Sequence, residues 1–178
     1  MPRPPRPRNS PTAVRAEVNG DRVVMMIEVN NETDIEVDAE SLAAQARFTL
    51  DRLRIHPQAE LSIMLLDEVA MAELHVRWMG EPGPTDVMSF EMDELRQPQD
   101  DEEPEPGMLG DVVICPAVAD RQAVAAGHGR DDEMALLLTH GILHLLGYDH
   151  AEPEEHAEMF GLQARLLAEW VAHRGSSR

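Results

Sequence analysis

Three histidines in the last third of the chain have the spacing of metal ligands. His140 and His144 are four residues apart in the stretch DDEMALLLTHGILHLLGYDH, and His150 follows after Gly147. Residues four apart on a helix are neighbours on one face, so two imidazoles at this spacing can bind one ion. Three neutral imidazoles leave the fourth position of a tetrahedral zinc open. The spacing therefore predicts one zinc ion per chain, although imidazole also suits other divalent transition metals.

The stretch around the first two histidines is predicted to be the helix that positions them. Its apolar residues recur at helical spacing, and Asp131 or Asp132 is expected to be the N-cap. Gly147 can adopt the left-handed conformation that commonly ends a helix. The turn that follows would return His150 to the other two histidines, so the metal site is expected on this helix and its following turn.

A metal site of this kind can activate water for attack on a phosphodiester or on a peptide bond. The spacing His-x3-His-x5-His, with a glycine three residues after the second histidine, is also that of the metzincin peptidases. However, Gly141 stands where those peptidases carry the glutamate that acts as general base. A metallopeptidase is therefore disfavoured, and it stays open only if a base comes from elsewhere in the chain.

Three blocks of the sequence resemble those of the YbeY family, bacterial single-metal endoribonucleases and ribosomal RNA maturation factors. HGILHLLGYDH resembles the histidine motif of that family, PTDVMSF (84–90) its upstream element, and GDVVIC (110–115) its Gly-Asp-Ile-x-Ile strand. The resemblance covers residues 20 to 170. It implies a zinc-dependent, single-strand-specific endoribonuclease acting in 16S and other ribosomal RNA maturation and in ribosome quality control. The implied partners are ribosomal RNA and small-subunit ribosomal proteins.

The chain departs from the family pattern at the place of a charge-stabilising arginine. Met79 stands at that place, His75 replaces an asparagine, and Glu91 replaces a proline. Arg77, two residues from Met79, is a candidate replacement for stabilising phosphoryl charge, and a surface helix arginine is the alternative interpretation. Asp149 is a candidate for orienting a ligand imidazole or for proton transfer, and a turn residue is the alternative.

Three other residues complete the list of candidates. Asp86 is expected either to line the cleft or to support a turn, and His156 is the candidate for a fourth metal contact. Cys115 is the only cysteine, which excludes an internal disulfide and a thiolate metal cluster. We expect it to be buried in the core.

The charge of the chain disfavours a nucleic-acid partner. The net charge is −19, and 15 basic residues, none of them lysine, face 34 acidic ones. Much of the acid lies in residues 93–105, away from the histidines in sequence. An acidic surface would instead attract basic ribosomal proteins. The alternative function is therefore a ribosome-assembly binding factor whose metal is mainly structural.

The remaining pattern predicts an α+β fold with a small mixed four-stranded sheet and about five helices. The chain has no secretory signal and no apolar run that could span a membrane, which favours a cytoplasmic location. Residues 1–15 are rich in proline and arginine and are expected to form a disordered tail before a single domain of residues 16–178. The expected strands are residues 23–29, 61–66, 86–90 and 108–114, and the expected helices outside the histidine stretch are 38–53, 68–79, 117–126 and 154–173.

Overall fold

A computed structural model describes residues 12–18 and 21–176, which form one mixed β-sheet and five α-helices. The predicted α+β class is confirmed. The strands are β1 (Thr12–Val18), β2 (Asp21–Asn31), β3 (Glu60–Leu65), β4 (Val87–Glu91) and β5 (Met108–Ile114). The helices are α1 (Ala39–Arg52), α2 (Glu68–Met79), α3 (Pro116–Ala126), α4 (Arg130–Leu145) and α5 (Pro153–Ser176).

The strand order in the sheet is β1-β2-β3-β5-β4. The three inner strands run parallel, whereas β1 and β4 pair antiparallel with their neighbours at the two edges. Parallel strands are covered by helices on both faces, which suits the apolar runs of β3 and β5. Because β4 is an edge strand, its outer side is available to border a cleft.

The first strand extends the sheet beyond the expected four strands, which correspond to β2–β5. It begins at Thr12, so the last four residues of the predicted tail belong to the sheet. Residues 1–11 lie outside the described residues. The proline-rich composition ends at Pro11, and the following TAVRAEV contains alternating β-branched residues that favour a strand.

The core is divided by the sheet into two clusters. The larger one lies between the sheet and helices α1, α4 and α5, and the smaller one lies under α2 and α3. Cys115 is free, fully buried and part of the smaller cluster, as expected from the sequence. The strand β4 contributes Met88 to this smaller cluster, so it is held between the helical layers.

Helix α4 begins one residue earlier than the acidic residues predicted to cap it. Its N-cap is Gly129, in an extended conformation and without a side-chain cap, and Asp131 and Asp132 lie inside the first turn. The prediction of an aspartate N-cap was wrong. Acidic residues in the first turn interact favourably with the helix dipole even when they are not the N-cap, so the two positions give the same sequence signal. The helix ends as predicted before Gly147, whose φ is +92° and whose N–H donates to the carbonyl of His144.

Helix α5 packs on α4 through one stripe of its surface. Its buried residues are Met159, Gln163, Leu166 and Trp170, at the spacing of an amphipathic helix. Gln163 is the polar member of this stripe, and it faces the histidine helix. Within the described residues, no helix combines the length and the hydropathy needed to cross a bilayer.

Candidate metal centre

The structure brings the three predicted ligands together. His140, His144 and His150 each offer a ring nitrogen, and these atoms all lie within 4.8 Å of one another. The Nε2 atoms of His140 and His144 are 3.1 Å apart. A tetrahedral zinc with Zn–N bonds of about 2.0–2.1 Å requires ligand nitrogens about 3.3 Å apart. The donor set and its spacing therefore fit a metal ion held by three imidazoles.

The turn after α4 returns His150 to the helix. Its ring centroid lies 5.6 Å from that of His140 and 5.3 Å from that of His144. Gly147 permits this turn because its φ is +92°, a backbone conformation that residues with a side chain rarely adopt. The His150 ring is exposed, whereas the other two are half-buried, so the site opens to solvent on the side of His150.

The contacts of Asp149 are those of a turn residue, which was the alternative interpretation of this aspartate. Its Oδ1 accepts a hydrogen bond of 2.7 Å from the backbone N–H of His150. This contact orients the peptide that leads to the third ligand. A role for Asp149 in proton transfer stays a prediction.

The His140 ring is fixed by Gln163, a residue that no sequence pattern selected. Its Nδ1 lies 2.9 Å from Oε1 of Gln163, which is only 5 % exposed. An amide oxygen accepts, so Nδ1 carries the ring proton and Nε2 presents its lone pair to the site. A partner on the second nitrogen is the usual support of a metal-ligating histidine.

The electrostatics keep the two helical histidines neutral. Burial is the main cause that lowers the pKa of His140 below 6.5. The hydrogen bond with Gln163 raises this pKa, and the nearby His150 lowers it further. Burial likewise lowers the pKa of His144, assisted by His140 and His150 and opposed by Asp149. Neutral imidazole is the form that binds metal, so both rings are ready to do so at neutral pH.

The histidines line a cleft of about 450 Å³. The rest of its wall comes from the C-terminal half of α2 and from β4 with the residues before it. In α2, His75 and Met79 are one turn apart and both line the cleft. The other lining residues are Thr85, Asp86, Val87, Met88, Ser89, Phe90 and Glu91.

The free edge of β4 borders this cleft. The carbonyl of Asp86 accepts from the N–H of Cys115, and the N–H of Met92 donates to the carbonyl of Leu109. In an antiparallel pair such bonds alternate, so the even-numbered residues of β4 bond to β5. The backbone groups of Ser89 therefore point away from β5, as the free edge of a strand requires.

Asp86 combines both roles that were expected of it. Its Oδ1 accepts a hydrogen bond of 2.8 Å from the N–H of Val87, and its Oδ2 accepts one of 3.3 Å from Nε2 of Gln122. The residue also lines the cleft, where its negative charge raises the pKa of His140.

Gly141 lies where α4 packs directly on the sheet. A Cβ atom there would be 2.6 Å from Cγ1 of Val112 and 3.2 Å from Oγ of Ser89. The Ser89 hydroxyl also donates to the Gly141 carbonyl over 2.9 Å. The side chain of a glutamate at this position would point into the sheet, so the peptidase base has no place here.

Two weaker candidates lie outside the cluster of ligands. Arg77 is exposed and is not among the residues that line the cleft, in contrast to Met79. Two residues along a helix amount to a rotation of about 200°, which explains this difference, and the role of Arg77 stays a prediction. His156 is stacked on Phe160 with a centroid distance of 4.3 Å and is not part of the ligand group.

The charged residues that line the cleft, apart from its histidines, are acidic. They are Asp86 and Glu91. Glu91 lies 3.5 Å from the guanidinium of Arg96. The cleft wall is otherwise largely apolar, with Met79 and Phe90 among its members.

Comparison with known proteins gives consistent matches over most of the chain. Residues 27–171 match the family model described as endoribonuclease YbeY. The chain is 65 % identical over 146 residues to the endoribonuclease YbeY of Thermobifida fusca (strain YX), a match that covers 82 % of this chain and 94 % of that protein. It is 59 % identical over 150 residues to the endoribonuclease YbeY of Beutenbergia cavernae, covering 84 % of this chain and 100 % of that one.

The fold is also similar to that of a protein from Thermotoga maritima whose structure was determined in solution. The TM-score is 0.57 at 25 % sequence identity, and the match covers 85 % of this chain and 93 % of the other. The α+β arrangement described above is therefore shared with an experimentally determined structure.

Proposed function

The chain belongs to the endoribonuclease YbeY family and is a nuclease, and from this premise we propose that it cleaves single-stranded RNA at the site of His140, His144 and His150 with a bound zinc ion. The observation that carries the proposal is the convergence of three imidazoles in an open cleft. A zinc ion held by three histidines would supply activated water and polarise a phosphoryl oxygen.

The residues around the three histidines support this chemistry in distinct ways. Gln163 holds the His140 ring with Nε2 towards the other ligands, and Asp149 holds the turn that carries His150. The outward N–H of Ser89 on the edge of β4 is a donor that can bind a phosphate oxygen without a positive charge. The tight packing at Gly141 favours a phosphodiester over a peptide substrate, because the peptidase base is absent from that position.

The cellular role that we propose follows from the family resemblance. The substrate is ribosomal RNA, cleaved during its maturation and during ribosome quality control in the cytoplasm, with small-subunit ribosomal proteins as partners. The net charge of −19 supports contacts with basic ribosomal proteins.

A second candidate function is a ribosome-assembly binding factor whose metal is mainly structural. It is favoured by one observation, the lack of an arginine among the described residues that line the cleft. A nuclease needs stabilisation of the negative charge that develops on the phosphoryl oxygens. A metal-loaded protein that binds ribosomal particles but shows no turnover of RNA would support this second function.

The test is an RNA-cleavage assay combined with metal analysis on the wild type and on His144→Ala. We expect one zinc per chain in the wild type, cleavage of single-stranded RNA that stops on chelation, and loss of both properties in His144→Ala with the fold retained. His156→Ala is the matched control, since His156 is exposed and outside the ligand group, and it should keep metal and cleavage. Cleavage that survives both chelation and the His144 substitution would overturn the proposal.

A further inference from the structure

Trp78 is a large exposed aromatic residue next to two residues that line the cleft, Met79 and Phe90. It lies at the C-terminal end of α2 and is 62 % exposed. Its ring is edge-on to that of Phe90, with the centroids 5.5 Å apart, and Phe90 lines the same cleft as the three histidines. With one ring contact on Phe90 and 62 % of the residue exposed, part of the indole surface is accessible to solvent. Exposed aromatic surface beside a site commonly marks a binding surface.

The residue next to Trp78 extends the apolar surface into the cleft. Met79 is 63 % exposed and is itself a lining residue. Both residues are held by the last turn of α2, which ends at Gly80 in the left-handed conformation. We call Trp78, Met79 and Phe90 the apolar rim. The three residues lie on a helix end and on a paired strand, so their backbone positions are set by regular secondary structure.

The charges of the cleft restrict how an RNA strand can bind there. Nucleic-acid affinity usually comes from lysine and arginine contacts to phosphates. In this cleft the charged lining residues besides the histidines are Asp86 and Glu91, both acidic. These two carboxylates oppose phosphate binding, Glu91 less than Asp86 because it lies 3.5 Å from the guanidinium of Arg96, so a contact that does not use phosphate charge would add to the affinity. Stacking of a base on an aromatic ring supplies one that depends neither on positive charge nor on the identity of the base.

We propose that Trp78 is a base-stacking platform, on which an unpaired nucleobase next to the scissile phosphate stacks its face, with Met79 and Phe90 beside it. This inference rests on the proposed function, because it assumes that an RNA phosphate lies at the histidine site. Bases in a duplex are paired and stacked on one another, whereas bases in a single strand are free to leave the stack. Trp78 would therefore also select single-stranded RNA.

The test is a double-mutant cycle between the side chain and the base, on the zinc-loaded chain of 178 residues. Oligoribonucleotides of one sequence carry an abasic nucleotide, moved one position at a time along the strand, and KM and kcat are measured for the wild type and Trp78→Leu. We expect one abasic position to raise KM of the wild type about tenfold, within the range of one stacked base. Trp78→Leu should raise KM of intact RNA by a similar factor with little change in kcat, and should abolish the effect of that abasic position.

Two variants separate stacking from other effects. Trp78→Phe keeps an aromatic face and should retain most of the affinity. Val69→Ala is the control on the same helix. Val69 is also strongly exposed but lies in the first turn of α2, at the opposite end from Trp78, and the KM of this variant should equal that of the wild type. Binding is followed independently by tryptophan emission. The only other tryptophan, Trp170, is buried, so quenching by RNA that disappears in Trp78→Leu reports on Trp78.

The outcomes distinguish this inference from the proposed function. In one outcome, the wild type cleaves RNA while the Trp78 substitution and the abasic nucleotide have no effect on KM, or have effects whose free energies add without coupling. The stacking inference is then wrong and the nuclease function stands. The opposite result has three parts. The wild type does not cleave RNA, RNA still quenches the emission of Trp78, and one abasic position weakens binding only when Trp78 is present. In that case the proposed function fails and the stacking surface stands.

Discussion

Nδ1 of His140, in the middle of α4, lies 2.9 Å from Oε1 of Gln163, in the middle of α5. The contact joins two helices that pack through their buried faces, so the orientation of a metal ligand depends on how α5 docks. A histidine whose second nitrogen has a fixed partner keeps one tautomer and one ring orientation. The C-terminal helix therefore belongs to the metal site as well as to the core.

Replacing Gln163 by leucine should weaken zinc binding while leaving the three ligands in place. The substitution removes the acceptor for the His140 N–H, and loss of such a partner typically costs about 10–100-fold in metal affinity. Gln163→Glu keeps an acceptor oxygen and should restore most of the affinity. Competition with a chromophoric chelator gives the dissociation constants.

A matched control is available on α1. Gln45 is also a buried glutamine, and its amide donates to the carbonyl of Ala135 and to Oγ1 of Thr139. Neither of these partners is a metal ligand. Gln45→Leu should lower the free energy of unfolding by about 1–3 kcal/mol, because buried acceptors lose their donor, with zinc affinity retained. Equal losses of zinc affinity in the two leucine variants would show that Gln163 acts only through the fold.

Adding a methyl group at Gly141 should destabilise the protein, although alanine is normally the better helix former. The new Cβ would lie 2.6 Å from Cγ1 of Val112, so α4 would have to move off the sheet. Overpacking of this kind costs about 1–3 kcal/mol. Urea denaturation of Gly141→Ala measures the change.

The same substitution at Gly161 is the control. Gly161 lies in α5, and an added Cβ there meets nothing within 4 Å. Gly161→Ala should raise the free energy of unfolding by about 0.5–1 kcal/mol through the backbone entropy of the unfolded chain. If Gly141→Ala stabilises as well, the close approach of α4 to the sheet is not a constraint on the fold.

The parts of this fold that were predictable from sequence depend on interactions within a few turns of chain. The spacing of His140 and His144 and the stop at Gly147 could be read directly, because helical periodicity and left-handed glycine act locally. The bounds of α2 and β5 are the same in the prediction and in the structure. The N-cap of α4 was missed because Asp131 and Asp132 give the same signal as N-caps and as first-turn residues.

What could not be predicted depends on contacts between distant elements. Gln163 follows His140 by 23 residues on a different helix, and no spacing rule connects them. The placement of Trp78 against Phe90 likewise required the packing of α2 on β4. The position of Arg77, in contrast, was available from the sequence, since helical periodicity turns it away from the face shared by His75 and Met79.

Cys115 should react with thiol reagents only when the protein unfolds. Burial is the main cause that raises the pKa of its thiol above 9.0, so the unreactive protonated form persists to higher pH in the folded protein than in the unfolded chain. Labelling with a disulfide reagent at pH 8 should be slow in buffer and fast in urea, with one thiol per chain. Rapid labelling of the native protein would show that the smaller core cluster opens readily.

The same pKa shift makes a prediction for stability. The unfolded chain loses this proton first as the pH rises through 9.0, so the folded state loses relative stability above that pH and none below it. Denaturation between pH 7 and pH 10 should therefore show a fall in the free energy of unfolding that is smaller in Cys115→Ala. An equal fall in both proteins would assign the effect to other groups.

Introducing an arginine at Met79 should increase RNA affinity, whereas removing Arg77 should have little effect. Met79 lines the cleft, and the family resemblance implies an arginine at its position, so Met79→Arg is expected to put a cation beside the phosphoryl group. Each added phosphate contact steepens the dependence of log affinity on log salt by about 0.7 for a single strand. Arg77 is exposed outside the cleft, and Arg77→Ala should change kcat/KM by about twofold or less, as expected of a surface substitution.

The measurement is kcat/KM on one single-stranded oligoribonucleotide at several salt concentrations, with Met79→Leu as the control that keeps the apolar volume without the charge. If log kcat/KM falls more steeply with log salt concentration for Met79→Arg than for Met79→Leu, the RNA phosphate binds beside α2. A large loss in Arg77→Ala, with no gain in Met79→Arg, would instead support Arg77 as the charge-stabilising residue. That result would require the end of α2 to rotate when RNA binds, because its present orientation directs Met79 and not Arg77 to the cleft.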